Sequence, residues 1–226
     1  MLLLLHGALY TQKEFEPLIP HLDGHGPVRT LDFSGHGQAP VPDEPFSIRL
    51  FAEDVLRLMD ATGSENADIF GFSMGGYVGL YLARHFPDRI GRVMTLGTKL
   101  DWNPETSARE VKMLDPEKIS EKVPKFAEVL KKRHGADRWE QVLGKTAEMM
   151  LNLGNEPELP YDAFSDIGCR VRVCVGDRDH MVGMDETARA YHLLPNAELC
   201  VLPGTGHPLE KIPPAALAAD ITEFLA

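Results

Sequence analysis

The chain has 226 residues, 43% of them hydrophobic and 25% charged, which suits one α/β domain able to bury a core and carry an insertion. Its formal net charge of −11 argues against binding to a phosphate backbone or to an anionic membrane surface. No stretch approaches the roughly eighteen apolar residues of a membrane span, and Met1–Leu5 is too short, and too poor in basic flanking residues, for a signal peptide.

Leu2 to Leu5 is a continuous apolar run, the pattern of a parallel strand buried on both faces. His6-Gly7-Ala8 leaves it, and Thr11 with Glu14 makes a capping box for a short helix carrying Phe15, Leu18 and Ile19. Residues 28–33 form a second predicted strand, followed by the loop Ser34-Gly35-His36-Gly37 and a proline-rich stretch from Pro40 to Pro45. Ser47 caps a helix whose apolar positions Ile48, Phe51, Ala52, Val55, Leu56 and Met59 fall at helical spacing, and Thr62-Gly63 ends it. A third strand at 67–70, a helix at 74–86 stopped by Pro87 and a fourth strand at 92–96 continue the alternation. That rhythm predicts right-handed βαβ crossovers and a parallel sheet.

The rhythm breaks between 101 and 160, where about three helical patterns and no good strand occur. One helix is predicted from Pro116 to His134, with Ile119, Val123, Phe126, Val129 and Leu130 on its apolar face, and another from Ala136 to Leu153. The run Lys131-Lys132-Arg133-His134 is expected to be a solvated helix end, where cations favour the dipole. Residues 101–160 are therefore expected to form a helical cap over a core made of 1–100 and 161–226. The sheet pattern resumes at 169–175, with a helix near 185–194, a last strand at 198–202 and a final helix at 215–225 begun by Pro213-Pro214. Cys169, Cys174 and Cys200 lie in or beside strands at no zinc spacing, so free core thiols in a reducing, cytoplasmic compartment are expected.

Chemistry concentrates at Gly71-Phe72-Ser73-Met74-Gly75-Gly76, between the third strand and its helix. A serine between two glycines on a strand-to-helix turn describes a nucleophile elbow. Glycine at 71 and 75 relieves the crowding of so tight a turn, and the hydroxyl stands at the positive end of the following helix. A serine hydroxyl is a weak nucleophile that needs a base, itself oriented by an acid. Asp179, just past the fifth strand, and His207, just past the sixth, both leave carboxyl ends of strands, the rim where Ser73 also sits. The order serine, acid, histidine completes the pattern.

The sequence resembles the α/β-hydrolase family, in its small, cap-bearing form, over nearly the whole chain outside the insertion. Leu5-His6-Gly7-Ala8 is similar to the family's oxyanion loop and Asp32-Phe33-Ser34-Gly35-His36-Gly37 to its Asp-x-x-Gly-x-Gly turn; Gly71–Gly75 matches the elbow. Gly176-Asp177-Arg178-Asp179-His180-Met181-Val182 is similar to the acid turn that precedes the Gly206-His207 pair. The resemblance implies a triad of Ser73, Asp179 and His207, with Asp177 the rival acid, and backbone N–H donors from Ala8 and Met74. It also implies a doubly wound, mostly parallel sheet of six strands, without the family's leading hairpin. His6 and His36 are expected to be structural, with His6 bracing the oxyanion loop.

The function expected is a serine hydrolase cleaving small to medium carboxylic esters through an acyl-enzyme. Substrate walls are expected from Leu9, Phe72, Trp102, Phe126, Met149 and Met150. Neither a metal nor a cofactor is expected, since His-x-His, His-Glu-x-x-His and a first-strand Gly-x-Gly-x-x-Gly are all absent. The partner expected is a small-molecule ester, with no nucleic acid and no membrane. The same triad would also serve a carbon–carbon bond hydrolase or an acyltransferase, and a weakly catalytic receptor of the same fold is the alternative from another class.

Overall fold

In the computed structural model, which describes residues 1–22, 24 and 26–226, the run Leu2–Leu5 is strand β1 and every residue in it is buried. Alternate side chains of a strand point to opposite faces. Leu3 and Leu5 accordingly join one apolar cluster, and Leu2 and Leu4 a second one on the other face. A strand covered on both sides has no solvent face to be polar, which is why four leucines follow one another.

The described strands are β1, β2 (Val28–Thr30), β3 (Ala67–Phe72), β4 (Ile90–Leu96), β5 (Arg170–Gly176) and β6 (Ala197–Leu202), all parallel, in the order β2-β1-β3-β4-β5-β6. Helices α1 (Ile48–Ala61), α2 (Met74–His85) and α7 (Met184–Leu193) contribute to the cluster on one face, and α8 (Pro214–Leu225) to that on the other. The chain winds outward from β1 to β2, then returns to place β3 on β1's other side. The winding direction reverses there, so the carboxyl ends of β1 and β3 flank the crevice where such sheets hold ligands. Leu5 is in register with Gly71 at that point.

Caps named from sequence are made as expected. Thr11 and Glu14 close a capping box on a 3₁₀ turn at Gln12–Phe15, and the Ser47 side chain accepts from the Leu50 N–H. Strand β2, however, is shorter than residues 28–33. Past Thr30 the backbone leaves the ladder for side-chain partners: Phe33 N–H donates to His6 Nε2 (3.1 Å), and Asp32 accepts from Gln12 N–H (2.8 Å) and Gln38 N–H (3.0 Å).

Between β4 and β5 lie α3 (Pro104–Val111), α4 (Pro116–Lys122), α5 (Pro124–His134) and α6 (Trp139–Asn155). The single helix expected over 116–134 is thus two. Pro124 has no N–H and disfavours the helical region for the residue before it, and Val123 sits at φ −136°, ψ 56°. The break rotates the face as well. Val123, Phe126 and Val129 are exposed, whereas Ile119, Ala127 and Leu130 are buried with His134.

The insertion is tied to the sheet-bearing part by polar contacts, of which the Tyr77 pair is buried. The Tyr77 hydroxyl donates to the Leu159 carbonyl (3.3 Å) and accepts from the Leu159 N–H (2.9 Å). The Glu158 carboxylate takes the Ile48 and Arg49 N–H groups at the start of α1, where the helix has no acceptors of its own. Arg138 donates to the carbonyls of Gly37 and Ala39. The three cysteines are free, and none of the described helices is long and apolar enough to cross a membrane.

Candidate active site

Ser73 has φ 51° and ψ −118°, a left-handed conformation that a residue with a Cβ adopts at a cost of about 1–3 kcal/mol. The surroundings hold it there. Ser73 N–H donates to the Leu96 carbonyl at the end of β4 (2.8 Å), and the Thr98 hydroxyl donates to the Ser73 carbonyl (2.9 Å). A Cβ on Gly71 would collide with the Gly75 carbonyl, and one on Gly75 with the Leu5 carbonyl, so β1, β3 and α2 meet only because both positions are glycine.

Asp179 and His207 come together across the ends of β5 and β6. His207 Nδ1 and Asp179 Oδ2 are 2.7 Å apart, and Asp179 Oδ1 accepts from the N–H groups of Met181 (2.8 Å) and Val182 (2.9 Å). Burial pushes the Asp179 carboxyl upward, but the His207 contact and the two amides outweigh it and hold the group below the ordinary carboxylate value. A carboxylate only accepts, so Nδ1 carries the proton and Nε2 is left as the basic nitrogen. The rival acid, Asp177, accepts from Thr205 N–H and organises the loop instead. Phe72, edge-on to Tyr10, packs against the His207 ring with centroids 5.3 Å apart.

The Ala8 turn closes through Tyr10 N–H to the Gly7 carbonyl (3.1 Å), with Leu9 at φ 63°. His6 lies beneath, its Nδ1–H donating to the Gly7 carbonyl (2.8 Å). The insertion supplies a second brace. His134 Nε2–H donates to the Leu9 carbonyl (3.1 Å) while its Nδ1 accepts from Gly37 N–H (3.0 Å), so one neutral ring joins two loops of the rim. Burial is the largest influence on this imidazole and lowers its pKa from 6.5 to about 4. Arg133 donates to the same Leu9 carbonyl and pairs with Glu14 (2.8 Å). Half of the basic run expected in solvent is therefore structural.

Ala8, Ser73, Met74 and His207 share the wall of one largely apolar cavity of about 60 Å³ with Trp102, Met149 and Met150. Three other expected wall residues lie elsewhere. Leu9, at φ 63°, is buried in the apolar core and does not line the cavity. Phe72 belongs to the cluster under the elbow, and Phe126 is 38% exposed on the outer side of α5. The cavity also holds Lys99 and Glu110, which sequence reasoning missed, as it missed His134 and Gly97. Lys99 lies three residues past β4, and a strand-end position was the available signal. Gly97, at φ 59°, faces the Asp179–His207 contact: a Cβ there would stand 3.2 Å from both Asp179 Oδ2 and His207 Nδ1. No group of three or more His, Cys, Asp or Glu side chains able to hold a metal occurs among the described residues.

Known proteins resemble both the sequence and the fold. A pimeloyl-[acyl-carrier protein] methyl ester esterase of Neisseria meningitidis is 40% identical over 87 residues, which is 38% of this chain and 32% of that protein. The match thus spans about a third of that relative's length. A 2-(acetamidomethylene)succinate hydrolase of Mesorhizobium japonicum is 22% identical over an alignment covering 100% of this chain and 87% of that one. Among solved structures, a hydrolase from Pseudomonas aeruginosa PA01 superposes with a TM-score of 0.78 at 24% identity, covering 100% of this chain and 89% of the other. The family model described as alpha/beta hydrolase fold matches residues 1–156. With that match, the all-parallel sheet and the helical insertion together, the chain belongs to the α/β-hydrolase-fold family.

Proposed function

We propose that the protein is a serine hydrolase of small carboxylic esters that works through Ser73, His207 and Asp179. The observation that carries this reading is the 2.7 Å Asp179–His207 contact, made by a histidine that shares one cavity with a serine on a left-handed elbow. In the mechanism, His207 Nε2 takes the hydroxyl proton as Ser73 Oγ attacks the ester carbonyl carbon. Asp179 keeps the ring in the required tautomer and stabilises the imidazolium that forms. The oxyanion lies against the N–H groups of Ala8 and Met74, and such a donor is worth roughly 10² to 10³ in rate. Met74 opens α2, where N–H groups have no acceptor within the helix.

His207 then returns the proton to the departing alkoxide, and the alcohol leaves. Water enters, His207 takes its proton as the oxygen attacks the acyl carbon, and that proton passes to Ser73 Oγ as the acyl–oxygen bond breaks and the acid leaves. A cavity of about 60 Å³ has room for about four waters at the ~15 Å³ each needs, which suits a short acyl group. The methyl ester named for the Neisseria relative is of the same bond type. The cap, proposed as residues 101–160, would set acyl length through Trp102, Met149 and Met150.

Fluorophosphonate labelling followed by peptide mass analysis should mark Ser73, and p-nitrophenyl acetate and butanoate should turn over faster than the octanoate. Ser73→Ala should lower turnover by roughly 10⁴ to 10⁶. An unlabelled Ser73, or an alanine variant with near-full activity, rejects the mechanism.

A further inference from the structure

The cavity contains an ion pair that ester cleavage does not need. Lys99 and Glu110 both line it, with side chains only 11% and 7% exposed. Lys99 Nζ lies 3.8 Å from Glu110 Oε1 and 3.6 Å from Glu186 Oε1, and Glu110 Oε1 lies 3.6 Å from Arg109 Nη2. Each of these separations is longer than a hydrogen bond. Glu186 is otherwise engaged: Oε1 accepts from Gly183 N–H (2.9 Å), and Oε2 from the N–H groups of Leu100 (3.1 Å) and Asp101 (3.0 Å). Among the described residues, Glu110 has no comparable set of backbone donors. An ammonium and a carboxylate thus face the same apolar chamber with hydrogen-bonding capacity to spare, and Trp102, 6.0 Å from Nζ, flanks the cation.

We propose that Lys99 and Glu110 form a polar subsite that receives an uncharged hydrogen-bonding group, a hydroxyl above all, on the acyl part of the substrate. This deepens the ester-hydrolase reading and rests on it for the word acyl. Charge decides the class of group. A carboxylate tail reaching Lys99 would meet Glu110 and Glu186, both within 4 Å of the same ammonium. An ammonium tail reaching Glu110 would meet Lys99. A plain alkyl tail would cover two charges and return no hydrogen bond to either. A hydroxyl accepts from Nζ and donates to Oε1, and two contacts of about 2.8 Å close a triangle on the 3.8 Å base. The pair thereby selects for polarity inside walls that are otherwise apolar.

The test compares methyl 3-hydroxybutanoate, methyl butanoate and monomethyl succinate in two ways. Hydrolysis by the wild-type protein is followed by pH-stat, and binding to the Ser73→Ala variant by ligand-observed NMR. The hydroxy ester should be favoured over the butanoate by roughly tenfold or more in kcat/KM and in Kd, as bonds to charged groups allow. Monomethyl succinate should be the poorest of the three. The double variant Lys99→Met/Glu110→Leu, which removes both charges together, should reverse the order of the first two. Equal treatment of hydroxy and plain esters by the wild-type protein, or preference for the succinate, overturns the subsite. The wild-type comparison alone decides if the double variant does not fold. If no ester turns over, the ester reading fails, and the binding series still judges the subsite.

Discussion

Lowering the pH should loosen the rim through His134. The ring is fully buried and has both nitrogens committed, donating to Leu9 and accepting from Gly37 N–H. A proton added at Nδ1 would point at the Gly37 N–H and replace attraction with repulsion. The titratable and charged groups around the ring are Arg133, Glu14, His6 and His36, the last with its centroid 5.6 Å away. His36 is itself held neutral by burial, and its Nε2 has no partner among the described residues. The folded pKa of His134, about 4, lies below the ordinary 6.5, so between these values the unfolded chain binds more protons. The stability that His134 contributes is therefore full above pH 6.5 and is lost as the pH falls toward 4. A displacement from 6.5 to about 4 corresponds to about 3 kcal/mol. Urea unfolding of the wild-type protein and of His134→Gln should be compared from pH 7 to pH 4.5. The variant retains His6 and His36 but has no titrating group at 134, so the wild-type advantage should shrink as the pH drops. A gap constant across that range refutes the reasoning.

Two further substitutions test the acid–base pair. Asp179→Asn keeps an acceptor for the Met181 and Val182 amides but presents His207 with a poorer partner. Thermal melting should barely change while kcat falls by about 10⁴, and a loss below tenfold in stopped-flow ester assays would remove Asp179 from the machinery. Gly97→Ala should cost about 1–2 kcal/mol, because its φ of 59° disfavours a Cβ. It should also lower kcat by pressing on the pair at 3.2 Å; unfolding and initial rates measured on one preparation read both, and unchanged values for both would contradict the packing.

What the residues announced on their own was whatever local backbone chemistry imposes. Four consecutive leucines required a strand covered on both faces, Thr11 with Glu14 required a cap, and Gly71 with Gly75 allowed a turn no other residue tolerates. Their signals lie within a few adjacent positions, so the fold class and the strand-end positions of Ser73, Asp179 and His207 could be read before any coordinates, although the Leu5 carbonyl that makes glycine necessary at 75 is distant in sequence. Pro124 carried a local signal too, and the helical periodicity across it hid the break. The rest depended on how the insertion docks. His134 meets Leu9 and Gly37 from 125 and 97 residues away, and Lys99 meets Glu110 only because α3 returns to the loop that follows β4. Phe126 has the composition of a pocket wall yet faces solvent, because the break at Val123 changes which side of α5 points inward. The elbow's turn is written in five adjacent residues, and Leu5, Leu96 and Thr98 hold it in place. The shape and polarity of the chamber in front of it come from side chains that no periodicity pairs, and only their packing decides them.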